Sequence, residues 1–397
     1  MAFLLGAVAF VVALLASVML HEGGHLLTAK RFGMKATQYF VGFGPTLWSR
    51  RRGETEYGVK ALPLGGFVKI VGYTPLEEID PADRDRAFYR QPAGRRAVVI
   101  TAGVVVNLVF AFLLLMAMAM TLGIRHPGTA TTTVGEVGAC VPARLQDGCG
   151  KDRPPSPAAA AGLRAGDRVV EYGGVAVGDW KQLRKAIEDG PAGRPVPVVV
   201  ERAGRRETLR VTPARVDGAP FLGVSAKITG AGYERAGPVR AGWFAARGVG
   251  LTVAGIGKVV VDLPGALPRL FSPDRAASPG GQVGSVVGAT EMSGQIFSSA
   301  GTWRDKAALY LSLVVSVNIF LGALNVLPLL PLDGGHLAVV GYERARARLA
   351  RLRGRPDPGP VDMTRLLPIT YLVVVLLVGY GVLLILADIL NPLRISP

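Results

Sequence analysis

Two histidines and a glutamate lie within five residues of one another near the amino terminus, in the run Leu20-His21-Glu22-Gly23-Gly24-His25. Residues i and i+4 of a helix share one face, so both imidazoles can bind a single Zn²⁺ while Glu22 reaches a water held by the metal. Zinc lowers the pKa of such a water toward ~7 and makes it a nucleophile at neutral pH. Glu22 would take the proton and pass it to a leaving amine. The H-E-x-x-H pattern therefore predicts metal-assisted hydrolysis.

The setting of this pattern favours a functional site over two histidines at an ordinary helix end. Residues 1–20 hold no charged side chain, and ionisable groups at the end of a membrane segment are costly and usually functional. A catalytic zinc needs a third protein ligand and an open position. His126 lies at the far end of another apolar segment, which leaves Asp333 and His336 as candidates. The residues alone do not separate these two.

Four uncharged segments are each near or above the ~20 residues with which a helix crosses a bilayer. They are residues 1–20, 97–124, 307–332 and 366–387. The third contains Pro328 and Pro331, which end or break a helix, so its last part is predicted to be irregular. The chain is therefore expected to be an α-helical polytopic membrane protein with four transmembrane helices.

Composition and charge agree with this fold class. Of the 397 residues, 50% are hydrophobic and 19% are charged, which excludes disorder, collagen and a small disulfide scaffold and argues against a purely soluble protein. The net charge of +16 could indicate nucleic-acid binding. The arginines of residues 344–355 are explained more simply by the excess of basic residues in cytoplasmic loops, so no nucleic-acid partner is predicted.

The basic residues also predict an orientation. Lys30 and Arg31 follow the first segment and no basic residue precedes it, whereas a signal peptide has a charged amino-terminal region. The positive-inside rule then places the 31–95 loop in the cytoplasm. Four spans leave both termini and residues 125–306 on the extracytoplasmic side.

The long outer segment contains a predicted α+β domain at residues 129–216. β-rich runs (131–137, 168–172, 195–201 and 207–211) alternate there with Gly/Pro turns and one helical stretch, 180–187. Residues 161–170 (AGLRAGDRVV) resemble the turn that leads into a strand of bacterial PDZ domains. Cys140 and Cys149 would form a disulfide in an oxidising compartment or stay two free thiols, because spacing alone does not prove pairing.

The chain divides into eight segments on this basis. They are a first span with the H-E-x-x-H pattern (1–30), a cytoplasmic loop (31–95), a second span (96–125), the PDZ-like domain (129–216), an interfacial amphipathic segment (236–271), a linker (272–302), a third span with the Asp333 motif (307–335) and a fourth span (366–388). The longest uncharged run of the 236–271 segment is too short to cross a bilayer. Residues 272–302 are rich in Gly and Ser, as flexible connectors are.

Several blocks of the sequence together resemble the site-2 protease family of intramembrane zinc metalloproteases. They follow the family's order over most of the chain: HEGGH at 21–25, GFGP at 42–45, YGVKALPLGGFVK at 57–69, the PDZ-like run, and NVLPLLPLDG at 325–334. The single PDZ-like domain and the run of residues 39–57 are closest to actinobacterial members that control sigma factors. One departure is that Pro331 comes six places after Asn325, where the family often has five.

The resemblance implies a role for each residue of the predicted centre. Glu22 would be the catalytic acid and base. His21, His25 and Asp333 would be the ligands of the zinc cofactor.

The resemblance also implies residues that bind substrate. Asn325 would hold the substrate or the developing oxyanion, and Asn318 would either assist it or serve only in helix packing. Residues 42–44 (Gly42, Phe43 and Gly44) resemble the membrane-associated, re-entrant β-hairpin of the family, whose edge could pair with an unwound substrate. A cytoplasmic β-turn without a substrate role is the alternative.

The implied function is intramembrane endopeptidase activity in a bacterial cell membrane. The expected partners are the lipid bilayer, a single-pass membrane substrate such as a trimmed anti-sigma factor, and an upstream site-1-type protease. The extracytoplasmic PDZ-like domain could act as a size filter or dock a new C-terminus. Three alternatives remain at this point: a membrane-anchored zinc protease that cuts outside the bilayer, a zinc transporter, and a non-catalytic PDZ scaffold.

Overall fold

The computed structural model describes residues 1–73, 78–143, 149–150, 153–266, 270–272, 275 and 284–392. The chain forms two compact units, one of Met1–Leu122 with Arg235–Pro397 and one of Gly123–Glu234. The helices are α1 (Ala2–Arg31), α2 (Ala93–Thr121), α3 (Pro157–Ala160), α4 (Trp180–Glu188), α5 (Pro238–Ala266), α6 (Val286–Ser298), α7 (Trp303–Val326), α8 (Asp333–Leu352) and α9 (Leu367–Leu390). The strands are β1 (Ala36–Arg52), β2 (Thr55–Ile70), β3 (Ile124–His126), β4 (Thr129–Val137), β5 (Arg168–Tyr172), β6 (Val175–Ala176), β7 (Val196–Arg202), β8 (Arg205–Val211), β9 (Ala214–Val216), β10 (Ala219–Phe221), β11 (Val224–Thr229) and β12 (Gly232–Glu234).

Four helices among the described residues are long and apolar enough to cross a membrane. They are α1, α2, α7 and α9, the last together with a short 3₁₀ turn that precedes it. These are the four predicted spans, and the chain is a polytopic membrane protein with a β domain. The third span ends at Val326, two residues before Pro328. A proline disfavours the helical conformation of the residue before it, which here is Leu327. The predicted irregular stretch therefore lies between α7 and α8.

In the first unit α1 packs against α2, α6 and the β1–β2 hairpin, and α2 also packs against α5, α7 and α8. The close approach of α1 to α2 depends on Gly24. A Cβ on Gly24 would lie 2.8 Å from the carbonyl oxygen of Ala102 in α2. Small residues let the backbones of membrane helices approach in this way, so the glycine between Glu22 and His25 brings α2 against the histidine face of α1.

The linker prediction for residues 272–302 is wrong over its second half. Residues 286–298 form α6, which begins at an N-cap where the Ser285 side chain accepts from the Val287 amide. Ser293 is buried and donates to the carbonyl oxygen of Gly6 in α1 at 2.8 Å. The small residues therefore serve close helix packing and not flexibility. Residues 273–274 and 276–283 of the predicted linker lie outside the described residues.

The segment predicted to be interfacial, 236–271, contains one continuous helix, α5, although four charged residues interrupt its sequence. It packs on α2, where Leu115 approaches Gly248. Its interfacial placement stays a prediction, and residues 267–269 of the segment lie outside the described part of the chain.

Residues 36–70 form the predicted hairpin, in which β1 and β2 pair antiparallel. The first part of β1 pairs with two stretches of β2: Phe40, for example, lies opposite both Phe67 and Gly58. Gly42 and Gly44 have φ values of +85° and +82°, a region that glycine adopts without steric cost. These glycines occupy the stretch where the register shifts, and they allow β1 to bend back on itself.

A buried ion pair joins α2 to α8. Arg96 of α2 donates to the Glu343 carboxylate, and Glu343 also accepts from the amide of Val361 at 2.7 Å. Both charged side chains are about one-tenth exposed. Such pairs fix geometry more than they add stability, and this one holds α8, whose first residue is Asp333, in place against α2.

The second unit contains a sheet with strand order β11-β4-β5-β7-β8, and β6 pairs with β5. The four predicted β-rich runs coincide with β4, β5, β7 and β8, and the predicted helix coincides with α4. The unit extends beyond the predicted end at residue 216, because β11 returns to pair with β4 across a long stretch of sequence. Cys140 and Cys149 are disulfide-bonded, which settles their open pairing.

The AGLRAGDRVV run owes its conformation to Asp167. This carboxylate is 2% exposed and accepts from the amide of Arg164 at 2.8 Å and from Nε of Arg202 at 2.8 Å. The glycines that flank the turn, Gly162 and Gly166, have positive φ values of +77° and +94°. The run is therefore a tight glycine turn, fixed by a buried carboxylate, that leads directly into β5.

Candidate active site

Three side chains converge at the inner face of α1. The Nε2 atoms of His21 and His25 lie 3.1 and 3.3 Å from Oδ2 of Asp333, and 3.3 Å from each other. Among the residues that the structure describes, they form the one group of three His, Cys, Asp or Glu side chains whose donor atoms all lie within 4.8 Å of one another. Both histidines are buried.

The elements around the cluster explain this convergence. His21 and His25 are one helical turn apart in α1, so their rings project from the same face. Asp333 reaches them because α7 ends at Val326 and the chain turns before α8 begins with Asp333 itself. Two helices, separated by some three hundred residues of sequence, thus contribute to one centre.

Helix α2 forms the wall behind the two histidines. Nδ1 of His25 is 2.7 Å from the carbonyl oxygen of Val99, and Nδ1 of His21 is 3.3 Å from the Asn107 amide nitrogen. Between them, a Cβ on Gly103 would lie 2.6 Å from Nε2 of His25 and 2.7 Å from Nε2 of His21. Each Nδ1 therefore has a neighbouring polar group on α2, and the Nε2 atoms face Asp333, one another and the α2 backbone at Gly103.

These donors fit a zinc ion. Two imidazole nitrogens and one carboxylate oxygen form a ligand set typical of catalytic zinc sites. Both Nε2 atoms point at one carboxylate. Gly103 has no Cβ to fill the space beside them, so the two nitrogens can converge. An acceptor opposite each Nδ1–H is the usual support for a metal-binding histidine.

Glu22 lies beside this cluster and contacts the hairpin. Its Oε2 accepts a hydrogen bond from the amide of Val68 in β2 at 3.1 Å. Tyr39 of β1 donates to the carbonyl oxygen of Met19 at 2.6 Å. Burial, with the Glu22 carboxylate nearby, raises the pKa of Tyr39 to about 12, so this hydroxyl stays protonated and holds the hairpin against α1.

The two asparagines of α7 lie in different surroundings. Asn325, in the last turn, has its amide nitrogen 3.4 Å from Nε2 of His21. Asn318 is fully buried and donates to Ser17 of α1 at 2.9 Å and to the carbonyl oxygen of Val314 at 2.8 Å. The structure thus brings Asn325 to the cluster and gives Asn318 the contacts of a helix-packing amide.

His336 lies outside the cluster. Its ring packs on the ring of Tyr73 at 4.8 Å between centroids, and Tyr73 packs in turn on Phe88 at 4.7 Å. In the hairpin, Phe43 stacks on Phe67, the residue before Val68, and is 43% exposed. The predicted substrate loop therefore connects directly to the strand that contacts Glu22.

Three residues of α2 that line the site were missed in the sequence: Val99, Gly103 and Asn107. They are spaced four apart and so lie on one helix face. Asn107 is the one amide side chain in the uncharged stretch 97–124, and an intramembrane amide is a signal that could have marked this face. Gly103 carried no such signal, because only its neighbours show what it excludes.

Comparison with known proteins agrees with this site. The family sequence model of peptidase family M50 matches residues 9–356 of this chain. The chain is 42% identical over 419 aligned positions to zinc metalloprotease Rip1 of Mycobacterium tuberculosis, and all of both chains is covered. It is 37% identical to zinc metalloprotease Rip1 of Mycolicibacterium smegmatis, again over the whole of both chains. A putative zinc metalloprotease of Thermotoga maritima is 31% identical over 51% of this chain and 36% of its own length. The buried cluster of His21, His25 and Asp333 thus lies in a chain that belongs to peptidase family M50, the site-2 protease family of membrane zinc metalloproteases.

Proposed function

We propose that this zinc metalloprotease hydrolyses a peptide bond in or near the transmembrane segment of a single-pass membrane protein. The observation that carries the proposal is the convergence of His21, His25 and Asp333, with donor atoms within 4.8 Å of one another, on helices apolar enough to span a membrane. A centre built from α1 and from the turn after α7 is enclosed by spanning helices. A substrate must therefore enter the helical bundle to be cut.

The roles follow from the contacts of each side chain. His21, His25 and Asp333 hold the zinc, which supplies Lewis acidity for polarising a carbonyl and for lowering the pKa of water. Glu22 takes a proton from the attacking water and delivers it to the leaving amine nitrogen. Its hydrogen bond from the Val68 amide fixes one carboxylate oxygen, which leaves the other to face the reacting atoms. Asn325 donates its amide hydrogen to the developing oxyanion.

The hairpin is the proposed substrate dock. A substrate helix must unwind before its carbonyls can react, and an unwound strand can add to the exposed edge of a sheet. The loop of Gly42, Phe43 and Gly44 belongs to the same hairpin as Val68, which contacts Glu22. A peptide paired with this hairpin is held beside the catalytic carboxylate. Apolar side chains exposed on the hairpin, among them Leu47 and Leu64, suit a re-entrant position in the membrane.

Sidedness and partners complete the proposal. The basic 31–95 loop lies in the cytoplasm. The Gly123–Glu234 unit and both termini lie on the extracytoplasmic side of the membrane. That outer unit is a PDZ-like domain, supported by its glycine turn into β5 and by a disulfide, which is typical of oxidising compartments. The substrate is an anti-sigma factor already trimmed by a site-1-type protease. The outer domain acts on it as a size filter or binds its new C-terminus.

The choice of third ligand can be tested directly. Asp333→Ala is expected to lower zinc affinity by at least about 100-fold, because it removes one of the three metal ligands. His336→Phe keeps a ring against Tyr73 and is expected to bind zinc as the wild type does. Competition with a chromogenic chelator on the purified protein measures both. Loss of zinc from His336→Phe with retention by Asp333→Ala would contradict the assignment.

The cellular experiment compares membrane fragments in cells that carry the wild type or Glu22→Gln. Trimmed single-pass proteins are expected to accumulate in the Glu22→Gln cells, because the first cut still occurs and the second does not. Proteomics with terminal peptide mapping identifies the fragments and, in wild-type cells, the cut position.

The outcomes separate this function from the alternatives. Cut positions that map far outside the apolar segment would favour a protease acting outside the bilayer. A transporter would move zinc across sealed vesicles, and a scaffold would show equal fragment levels with both variants. Each of those results would contradict the proposal.

A further inference from the structure

Asn107 is a buried amide of α2 whose hydrogen bonding is incomplete among the described residues. The side chain is 0% exposed, and its Nδ2 lies 3.3 Å from Nδ1 of His21. Within the described parts of the chain its Oδ1 has no hydrogen-bond partner. An amide inside a spanning helix is costly when it is not satisfied, so this arrangement requires an explanation.

The tautomer of His21 decides which end of the Asn107 amide should face the ring. Nε2 of His21 faces Asp333 and His25, so it must present a lone pair if it is to bind a metal. The proton of the neutral ring then resides on Nδ1, which becomes a donor. A donor requires an acceptor opposite it, whereas the atom placed there is the amide nitrogen of Asn107. A half-turn of the amide exchanges Nδ2 for Oδ1 and converts a contact between two donors into a hydrogen bond.

His25 shows the same arrangement with a backbone acceptor. Its Nε2 also faces Asp333, and its Nδ1 lies 2.7 Å from the carbonyl oxygen of Val99. Val99 and Asn107 are eight residues apart, about two turns, so both acceptors lie on one face of α2. With the Asn107 amide turned in this way, the helix presents one oxygen to each histidine.

We propose that Asn107 is a positioning residue for His21, in which Oδ1 accepts the Nδ1 hydrogen and fixes the tautomer and the ring orientation that zinc binding requires. The inference rests on the proposed function, because it takes His21 as a zinc ligand. Acceptors behind metal-binding histidines raise ligand basicity and hold the ring in place. Asn318 of α7 is an equally buried amide whose nitrogen donates to Ser17 and to the Val314 carbonyl. Its Oδ1 also has no partner among the described residues, but the bonds that the amide makes serve helix packing and none of them reaches a histidine.

The test measures zinc affinity of the purified full-length protein by competition with a chelator. Asn107→Leu keeps the size of the side chain and removes the acceptor, and it is expected to weaken zinc binding about 10- to 100-fold. Asn107→Asp keeps an acceptor at the same place and is expected to recover most of that affinity. Asn318→Leu is the matched control, since it removes an equally buried amide from α7, and it is expected to leave zinc affinity unchanged.

Each outcome decides the matter. Equal zinc affinity of Asn107→Leu and the wild type overturns the inference. Equal weakening by Asn107→Leu and Asn107→Asp, with a lowered melting temperature in both, also overturns it, because the residue then acts through packing alone. His21→Ala distinguishes the two proposals: if it binds zinc as tightly as the wild type, the zinc site itself is wrong. If only His21→Ala loses zinc, the site holds and the role of Asn107 fails.

Discussion

Replacement of Glu22 by glutamine is expected to lower peptide-bond cleavage about 10²- to 10⁴-fold, the range for loss of a general acid–base group, with zinc still bound. Glutamine has nearly the same shape and keeps an oxygen that can accept from the Val68 amide. It therefore preserves the contact with the hairpin and removes only the ability to accept and return a proton. Single-turnover cleavage of a reconstituted single-pass substrate gives the rate, and elemental analysis gives the zinc content.

A matched control and a structural readout make this result specific. Glu188→Gln changes an exposed carboxylate of α4, which pairs with Arg184 at 3.1 Å, and should leave the rate unchanged. If Glu22→Gln cleaves at the wild-type rate, Glu22 is not the acid–base group. If it loses zinc together with activity, its role is to maintain the centre and not to transfer protons.

The local features of this fold could be predicted from sequence because each depends on nearby residues. Hydropathy gave the four spans, since a helix in lipid must satisfy its backbone internally and present apolar side chains. The helical spacing of His21 and His25 gave their shared face. The alternation of β-rich runs and glycine turns gave β4, β5, β7 and β8 within a few residues.

The long-range features could not be predicted in the same way. Asp333 and His336 are three residues apart, and only the path of the chain after α7 shows that Asp333 reaches His21 while His336 packs on Tyr73. The Val68 amide carries no side-chain signal, yet it contacts Glu22 because β2 pairs with β1 in a particular register. Spacing along the chain does not encode such contacts.

The error over residues 272–302 has a related cause. Gly and Ser are abundant in flexible linkers and also at the interfaces of closely packed membrane helices. Composition cannot distinguish these two uses. The hydrogen bond from Ser293 to the Gly6 carbonyl shows that here the small residues bring α6 against α1, and so stabilise the helix that bears the histidines.

Gly103→Ala is expected to weaken zinc binding by at least about 100-fold, a loss at the upper end of that seen when the surroundings of a metal ligand are altered. The added Cβ would lie 2.6 Å from Nε2 of His25 and 2.7 Å from Nε2 of His21, well inside van der Waals contact. Because interiors are close-packed, the rings must turn or α2 must move away from α1. Either movement separates the donor atoms, so cleavage should fall with zinc affinity.

Gly94→Ala provides the control for this prediction within the same helix. A Cβ at Gly94 would meet no atom within 4 Å, and alanine is a better helix former than glycine. Zinc affinity should therefore be unchanged in Gly94→Ala, with a melting temperature equal to or above that of the wild type. A Gly103→Ala protein that binds zinc and cleaves substrate as the wild type does would mean that α2 does not press on the two histidines. In that case the tautomers of His21 and His25 would need other support than Asn107 and Val99, since the same helix face carries all three residues.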